Sequence, residues 1–325
     1  MILLLSVQKD IHLDPVVERL RDRGHAFVRV NTDDLATSWL IICSDRSDGA
    51  SHVFTNLHND KSFSWADVTA VWYRRPNLPT GLSHELADAF KDFAAFEIYS
   101  LVQYLLSALD ASGITWVSNP HSMSRANSRF FQTQAARAAG FTVPDTIVSN
   151  HPRAIHGFIQ QHRTDLFAIK RISSHSRLEA NISFFTSRVS RAELLQKLDQ
   201  TSLCPTLIQE YVPKVCEYRV TVIGDRVFTC RLLSQENPAS SVDWRETNPA
   251  FIKHEIVTRP SLEAKALDVI RRLGLRFGAI DLIERPDGEI VFLEVNPNGQ
   301  WLWIEQITGA KMSDAMTDLL STNAA

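Results

Sequence analysis

Two carboxylates and a carboxamide near the end of the chain could share a cation: Asp281, Glu294 and Asn296. Asp281 lies in the run Phe277-Gly278-Ala279-Ile280-Asp281-Leu282-Ile283. Glu294 and Asn296 lie in Ile290-Val291-Phe292-Leu293-Glu294-Val295-Asn296. Both runs read as strands, joined through Pro286-Asp287-Gly288. Alternate side chains of a strand share a face, so Glu294 and Asn296 point the same way. A two-residue Asp287-Gly288 turn would set Asp281 directly opposite Glu294. A three-residue loop would shift the pairing by one. Like charges placed opposite one another destabilise a sheet. A hard cation between them removes that penalty, and oxygen donors of this kind suit Mg²⁺, which keeps positions for water and phosphate oxygens. The alternative is a solvated outer face, with Ile280, Leu282, Leu293 and Val295 buried behind it.

Other residues could handle anions. Arg74 and Arg75 end the strand Val68 to Tyr73, where crevices form in α/β sheets. Arg219 shares a strand face with Glu217, and Arg245 follows Asp243 and Trp244 in a polar loop. Each of these four arginines could hold a carboxylate or phosphate through paired hydrogen bonds. Arg74-Arg75 could equally be an ion-paired element at a domain junction, and Glu217 and Arg219 could simply pair at the surface. Asp243 could be a general base, or could orient Arg245. Lys170 ends an apolar strand and reads on its own as an exposed strand-end lysine. Trp301 and Trp303 read as core. No G-x-x-x-x-G-K-[ST] loop and no G-x-G-x-x-G turn is present, so a nucleotide would be held in another way. No Ser-His or Cys-His signature points to a covalent nucleophile.

The bulk composition narrows the class. The chain has 325 residues, 44% hydrophobic and 22% charged, which allows two or three units with substantial cores. A net charge of -3 argues against a nucleic-acid binder. The opening run MILLLSV is too short for a signal-peptide core and no stretch approaches a membrane span, so a cytoplasmic protein without a membrane partner is expected. The four cysteines form no C-x-x-C pair and read as reduced thiols.

The elements that must carry these residues read as α/β followed by α+β. The start is strand (2–7), helix (15–23, stopped by Gly24) and strand (26–30). Residues 44–64 read as loops and weak strands. Beyond the strand ending at Tyr73 come a long helix (82–109) and a strand (114–117). Asn119-Pro120 marks a boundary. A helix over 124–139 and strands near 167–172 and 182–186 form a second unit. Strands at 206–211, 218–223 and 227–233, a helix over 261–273 and the final two strands form a third. The predicted division is 1–118, 119–202 and 203–325.

In this order the motifs resemble a known family. Leu207-Ile208-Gln209-Glu210-Tyr211-Val212, then Glu217-Tyr218-Arg219-Val220, Ile280-Asp281-Leu282 and Leu293-Glu294-Val295-Asn296, are similar to the hinge and metal strands of ATP-grasp ligases. The resemblance implies two α+β units clamping ATP, preceded by an α/β (pre-ATP-grasp) domain. It implies that Glu210 and the backbone of Tyr211 and Val212 hold adenine, and that Glu217 holds the ribose. Lys170 and Arg129 would reach the phosphates, and Asp281, Glu294 and Asn296 would bind Mg²⁺. Two departures stand out. Arg129 replaces a lysine, and the phosphate-covering loop reads Arg171-Ile172-Ser173-Ser174-His175-Ser176 rather than glycine-rich.

The Val71-Trp72-Tyr73-Arg74-Arg75-Pro76 segment, Asp243-Trp244-Arg245 and the run from Asn296 to Glu305 narrow the resemblance to the graspetide (microviridin-type) peptide maturases. This implies activation of Asp or Glu side chains of a ribosomal precursor peptide (leader and core) as acyl phosphates. Ser or Thr hydroxyls, or a Lys amine, then close the ring. Arg219, Arg245 and Asp243 would serve catalysis, Arg74 and Arg75 the substrate, and the enzyme would be a homodimer. The competing expectation is a glutamate-ligase-like enzyme that adds a free amino acid.

Overall fold

A computed structural model of the chain describes residues 1–47, 49–74, 82, 85–110, 113–172, 186–236, 240, 242, 244 and 248–322. Arg75, Asp243, Arg245 and residues 173–185, with most of the phosphate-covering loop, lie outside the described residues.

The first unit comprises β1 (Ile2–Ser6), α1 (Leu13–Asp22), β2 (Phe27–Asn31), α2 (Leu35–Ser38), β3 (Trp39–Arg46), β4 (Gly49–Asn56), β5 (Ser62–Ser64), β6 (Ala70–Tyr73), α3 (Asp88–Asp110) and β7 (Thr115–Val117). Its main sheet is parallel, in the order β2-β1-β6-β7. Strands covered on both faces need apolar residues at every position, which accounts for the unbroken run Ile2-Leu3-Leu4-Leu5. Leu3 and Leu5 pack beside Leu105 and Leu109 of α3. Ile2 and Leu4 face the other way, into a core shared with the end of the chain. The polar 44–64 stretch is better ordered than its composition suggests. β3, β4 and β5 form an antiparallel meander, and Phe54 stacks on Trp65 and Phe63.

The helix predicted over 124–139 is two helices, α4 (Pro120–Ala126) and α5 (Arg129–Ala138). Each has its own N-cap. Asn119 Oδ1 accepts from the His121 and Ser122 N–H groups, with Pro120 at the first turn, and Ser128 Oγ accepts from Phe131 N–H. Then follow β8 (Thr146–Ser149), α6 (Pro152–Gln161), β9 (Leu166–Lys170), β10 (Ser187–Ser190), α7 (Arg191–Gln196) and β11 (Thr206–Glu210). Their antiparallel sheet has the order β10-β9-β11-β8. β11, expected to open the third unit, pairs inside this second sheet. Sequence order alone separates it from the partners it bonds.

The third sheet holds β12 (Cys216–Ile223), β13 (Arg226–Leu232), β14 (His254–Ile256), β15 (Phe277–Glu284) and β16 (Ile290–Asn296), in the order β14-β13-β12-β15-β16. One face packs on α8 (Pro260–Arg272) and on Ala135 and Ala136 of α5. Near one end of the other face, Ile223 and Phe277 join a core with Met316 and Leu320. These last belong to α10 (Met312–Ser321), which with α9 (Leu302–Thr308) returns to cover β1, β6 and α1.

The β15–β16 ladder changes phase. Near the tip Glu284 faces Ile290 and Leu282 faces Phe292, whereas further on Asp281 faces Glu294 and Ala279 faces Asn296. Leu293 is the extra residue, a β-bulge. The tip is the three-residue loop Pro286-Asp287-Gly288, closed by Arg285 N–H to Glu289 O at 2.9 Å, with Gly288 left-handed at φ +85°. The two-residue turn is therefore corrected, while the opposition of Asp281 and Glu294 stands because the bulge restores it.

Candidate active site

Cys230, Arg219, Asp281 and Glu294 stand in one row across β13, β12, β15 and β16. Arg219 Nη1 donates to Asp281 Oδ1 at 2.7 Å, with both residues buried. Arg129, at the start of α5, donates from Nη1 to Glu294 Oε2 at 2.5 Å and from Nε to Arg171 O at 3.3 Å. Each carboxylate of the opposed pair thus has an arginine of its own, which offsets the like-charge repulsion. Asn296 lies two residues along the same strand face, and its Oδ1 accepts from Asn298 N–H at 3.1 Å. Two opposed carboxylates and a carboxamide oxygen are a donor set that fits Mg²⁺. Among the described residues no group of three His, Cys, Asp or Glu stands together. A cation here would therefore complete its shell from Asn296, water and phosphate oxygens.

Beside this row a cleft opens between α5, the second sheet and β16. Arg129, Thr133, Thr146, Lys170, Gln209 and Leu293 line it. Lys170 Nζ donates to Gln209 Oε1 at 2.7 Å, and Gln209 Nε2 donates to Thr146 Oγ1 at 2.8 Å. This relay holds the ammonium in the cleft wall. The bulge brings Leu293 into the same wall, an apolar surface next to two cations. Gln209, Thr146 and Leu293 were not singled out from the sequence, although Gln209 and Leu293 directly precede Glu210 and Glu294.

Other expected contacts are arranged differently. Glu210 Oε1 accepts from Asp145 N–H at 3.3 Å, and Tyr211 N–H donates to Leu166 O at 3.1 Å. Two of the three hinge groups expected at adenine are thus committed within the second unit, and Val212 follows them. Glu217, expected at a ribose, is buried under Lys214, whose Nζ donates to Glu217 Oε1 at 2.9 Å and to Val242 O at 3.0 Å. Burial pushes the Glu217 carboxyl up, against the charge of Lys214 and a hydrogen bond from Ser234, and the nearby Asp281 charge adds to the rise.

Arg74 is corrected. Expected to hold a substrate carboxylate, it is wholly buried and donates from Nη1 to Asn298 O at 2.5 Å, with Asp10 Oδ2 3.6 Å from Nε. Asp10 also accepts from Ser6 Oγ at 2.6 Å and from His12 N–H at 3.2 Å. Burial opposes the Asp10 charge, but the His12 hydrogen bond, the Arg74 charge and the Ser6 hydrogen bond outweigh it and hold the carboxyl well below the usual carboxylate range. His12 Nε2 accepts from Trp301 N–H at 3.3 Å, which leaves Nδ1 to carry the proton towards Asp10. From the other side Arg219 Nη2 donates to Gln300 O at 3.2 Å. The loop after Asn296 is gripped by two buried arginines through its carbonyls. Trp301 is core, as expected, and Trp303 packs against Trp244 and His254.

Comparisons with known proteins bear on the fold that carries this geometry. Residues 1–123 match the model of the MvdD pre-ATP-grasp domain. The chain superposes on a Chryseobacterium gregarium RiPP-associated ATP-grasp ligase, solved with ADP and a leader and core peptide. The TM-score is 0.87 at 27% identity, covering 100% of this chain and 97% of that one. It also superposes on the macrocyclase MdnC of Microcystis aeruginosa MRC, bound to the precursor peptide MdnA. There the TM-score is 0.84 at 25% identity, over 99% and 100% of the two chains. A probable alpha-L-glutamate ligase of Mannheimia succiniciproducens is 25% identical over 230 residues, 68% of this chain and 72% of that protein. The fold is ATP-grasp with a pre-ATP-grasp domain, and the enzyme is an ATP-grasp ligase. Within that class the chain resembles the graspetide-type macrocyclases. Among the described residues no helix is long and apolar enough to cross a membrane.

Proposed function

We propose that this ligase is a peptide macrocyclase that uses ATP and Mg²⁺ on a ribosomal precursor peptide. A substrate Asp or Glu carboxylate attacks the γ-phosphate, giving an acyl phosphate and ADP. A Ser or Thr hydroxyl, or a Lys amine, of the same peptide then attacks the acyl carbon, and phosphate leaves. Each ring removes one water from the peptide. The observation that carries this reading is the Asp281–Glu294 opposition beside a cleft lined by Lys170 and Arg129, in a chain whose whole length is like a leader- and core-bound RiPP ligase.

Mg²⁺, held by Asp281, Glu294 and Asn296, would neutralise phosphate charge and orient the γ-phosphate. Lys170, steadied by Gln209, and Arg129 supply fixed positive charge along the phosphates. Leu293 offers an apolar face to the base. Arg219 orients Asp281 through its hydrogen bond. Arg75, Asp243 and Arg245 enter as substrate and catalytic residues through the resemblance alone, as do the ribose role of Glu217 and the hinge roles of Glu210, Tyr211 and Val212. The three units divide near 118 and 202, with β11 as the strand that crosses the second division. The enzyme works in the cytoplasm as a homodimer, and the exposed Phe90, Phe93 and Phe96 of α3 are the apolar face available to a second copy. Light scattering on the purified protein measures that state.

The test of the reaction is purified enzyme, ATP, Mg²⁺ and a precursor encoded by an adjacent reading frame. Loss of one water mass per ring, with matching ADP release, is expected. Gain of a free amino-acid residue would instead assign the glutamate-ligase-like activity.

A further inference from the structure

Among the described residues β16 is the edge strand of the third sheet, and its outer N–H and C=O groups face no named strand, only an isolated bridge at Thr142. At Val295 a side chain takes a strand's place. Gln132 of α5 is buried, and its Oε1 accepts from Val295 N–H at 2.9 Å. Its Nε2 donates to Val295 O at 2.8 Å and to Ala126 O at 2.6 Å. One carboxamide therefore makes the reciprocal pair of bonds that a neighbouring strand would make, on the residue between Glu294 and Asn296.

A second outer contact of β16 is Phe292 N–H to Thr142 O at 2.9 Å. Phe292 and Val295 are three residues apart. In an unbroken strand, outward N–H groups recur every two residues. Both contacts can form only with one extra residue between them, and Leu293 is that residue. Thr142 holds the tip-side phase of the strand and Gln132 holds the site-side phase. Arg129, one helical turn before Gln132 on the same face of α5, pairs with Glu294.

We infer that Gln132 is a positioning residue that pins the register of the metal-bearing strand, so that Glu294 and Asn296 stand opposite Asp281 and Ala279. The inference rests on the Mg²⁺ role proposed above. A one-residue slip would turn Glu294 to the other face of the sheet. Gln132 needs no contact with substrate to do this.

The test replaces Gln132 with Met, which keeps the volume and none of the bonds, and with Glu, which keeps only the acceptor for Val295 N–H. Gln134→Leu, at an exposed position of the same helix, is the control. Three quantities are read: amide exchange of the 290–296 segment, Mn²⁺ binding in the presence of ADP, and the Mg²⁺ dependence of ADP formation. Gln132→Met should speed exchange in 290–296 and raise the half-saturating metal concentration about tenfold or more, as loss of a supporting shell does. Binding of ADP without metal should stay near wild type. Gln132→Glu should fall between, and it carries the test if the Met variant does not fold. Unchanged exchange and unchanged metal dependence in a folded variant would overturn the inference. A wild type that forms no ADP with any precursor would instead overturn the proposed reaction, and the exchange and Mn²⁺ measurements would still decide the role of Gln132.

Discussion

Glu294 and Lys170 are the side chains on which substitution should separate chemistry from folding. Glu294→Gln keeps the size of the side chain and removes its charge. Arg129, its partner, keeps 27% of its side-chain surface exposed and can turn to solvent. The expected outcome is loss of precursor-dependent ADP release with a melting temperature near wild type, read by coupled assay and calorimetry. Equal activity would sink the metal assignment. Lys170→Met removes the ammonium that Gln209 steadies, and ATP KM should rise about tenfold or more, the worth of one charge-assisted hydrogen bond. The carboxylates were legible in the sequence as residues of two adjoining strands, but their direct opposition, expected from a two-residue turn, rests on the bulge at Leu293 that offsets a three-residue tip. Their arginines were less so, since Arg129 is 165 positions from Glu294 and only the fold joins them. For the same reason the sequence left open whether Arg74 meets a substrate or a structural partner. Nothing in Trp72-Tyr73-Arg74-Arg75 says that its partner is a carbonyl 224 positions away.

Among elements, the loop from Asn296 to Trp301 sets the tightest constraint. A Cβ built on Gly299 would lie 2.3 Å from Ala279 Cβ and 2.7 Å from Arg219 Nη2. Gly299→Ala must therefore push the loop off β15 or displace Arg219. A cost of about 1–3 kcal/mol is expected from such overpacking, measured by urea unfolding, together with a fall in kcat because Arg219 orients Asp281. Wild-type stability in that variant would mean that the loop relaxes freely. The strands of the parallel sheet and β12, β13, β15 and β16 were legible from period and punctuation, as were α1 and α8, whereas α6, α7, α9 and α10 were not singled out, and the strand expected near 182–186 falls almost wholly outside the described residues. The break between α4 and α5 was not legible, because Ser128 reads as an ordinary helical residue until its hydroxyl is seen to cap. The meander of β3 to β5 was hidden because β3 carries apolar residues on both faces: Trp39 and Ile41 turn inward towards Phe54 and Phe63, while Leu40 and Ile42 are exposed.

At the scale of the molecule, the first unit and the last two helices share one core, and Arg23 binds Asp314 and Asp318 across it. The cluster of Ser6, Asp10, His12 and Arg74 ties that unit to the loop after the metal strand. Asp10→Ala would leave Arg74 buried without this carboxylate, and a loss of about 3 kcal/mol is expected. The pH dependence follows from the depressed Asp10 carboxyl. Its contribution is present above the ordinary carboxylate value, near 4, and is lost as pH falls through the lower value of the folded state. Denaturant unfolding should therefore show a constant gap between wild type and variant from about pH 7 to 5, narrowing only below about pH 4. A gap that closes near neutrality would contradict the assigned charge. This union of chain start and chain end was not legible in a division by sequence order, which treats the three units as successive.

The extra residue at Leu293 has one more consequence. The tip of the hairpin and the row of carboxylates obey different arithmetic, and the mismatch of one residue is absorbed between them. Shortening the tip by one residue, for instance by removing Pro286, would let the whole ladder run in the phase already found at Asp281. The carboxylates would stay where they are, but Leu293 would be drawn into regular pairing and out of the cleft. The alignment of the carboxylate row and the shape of the cleft are thus independently adjustable, and the length of an exposed turn sets the second without touching the first.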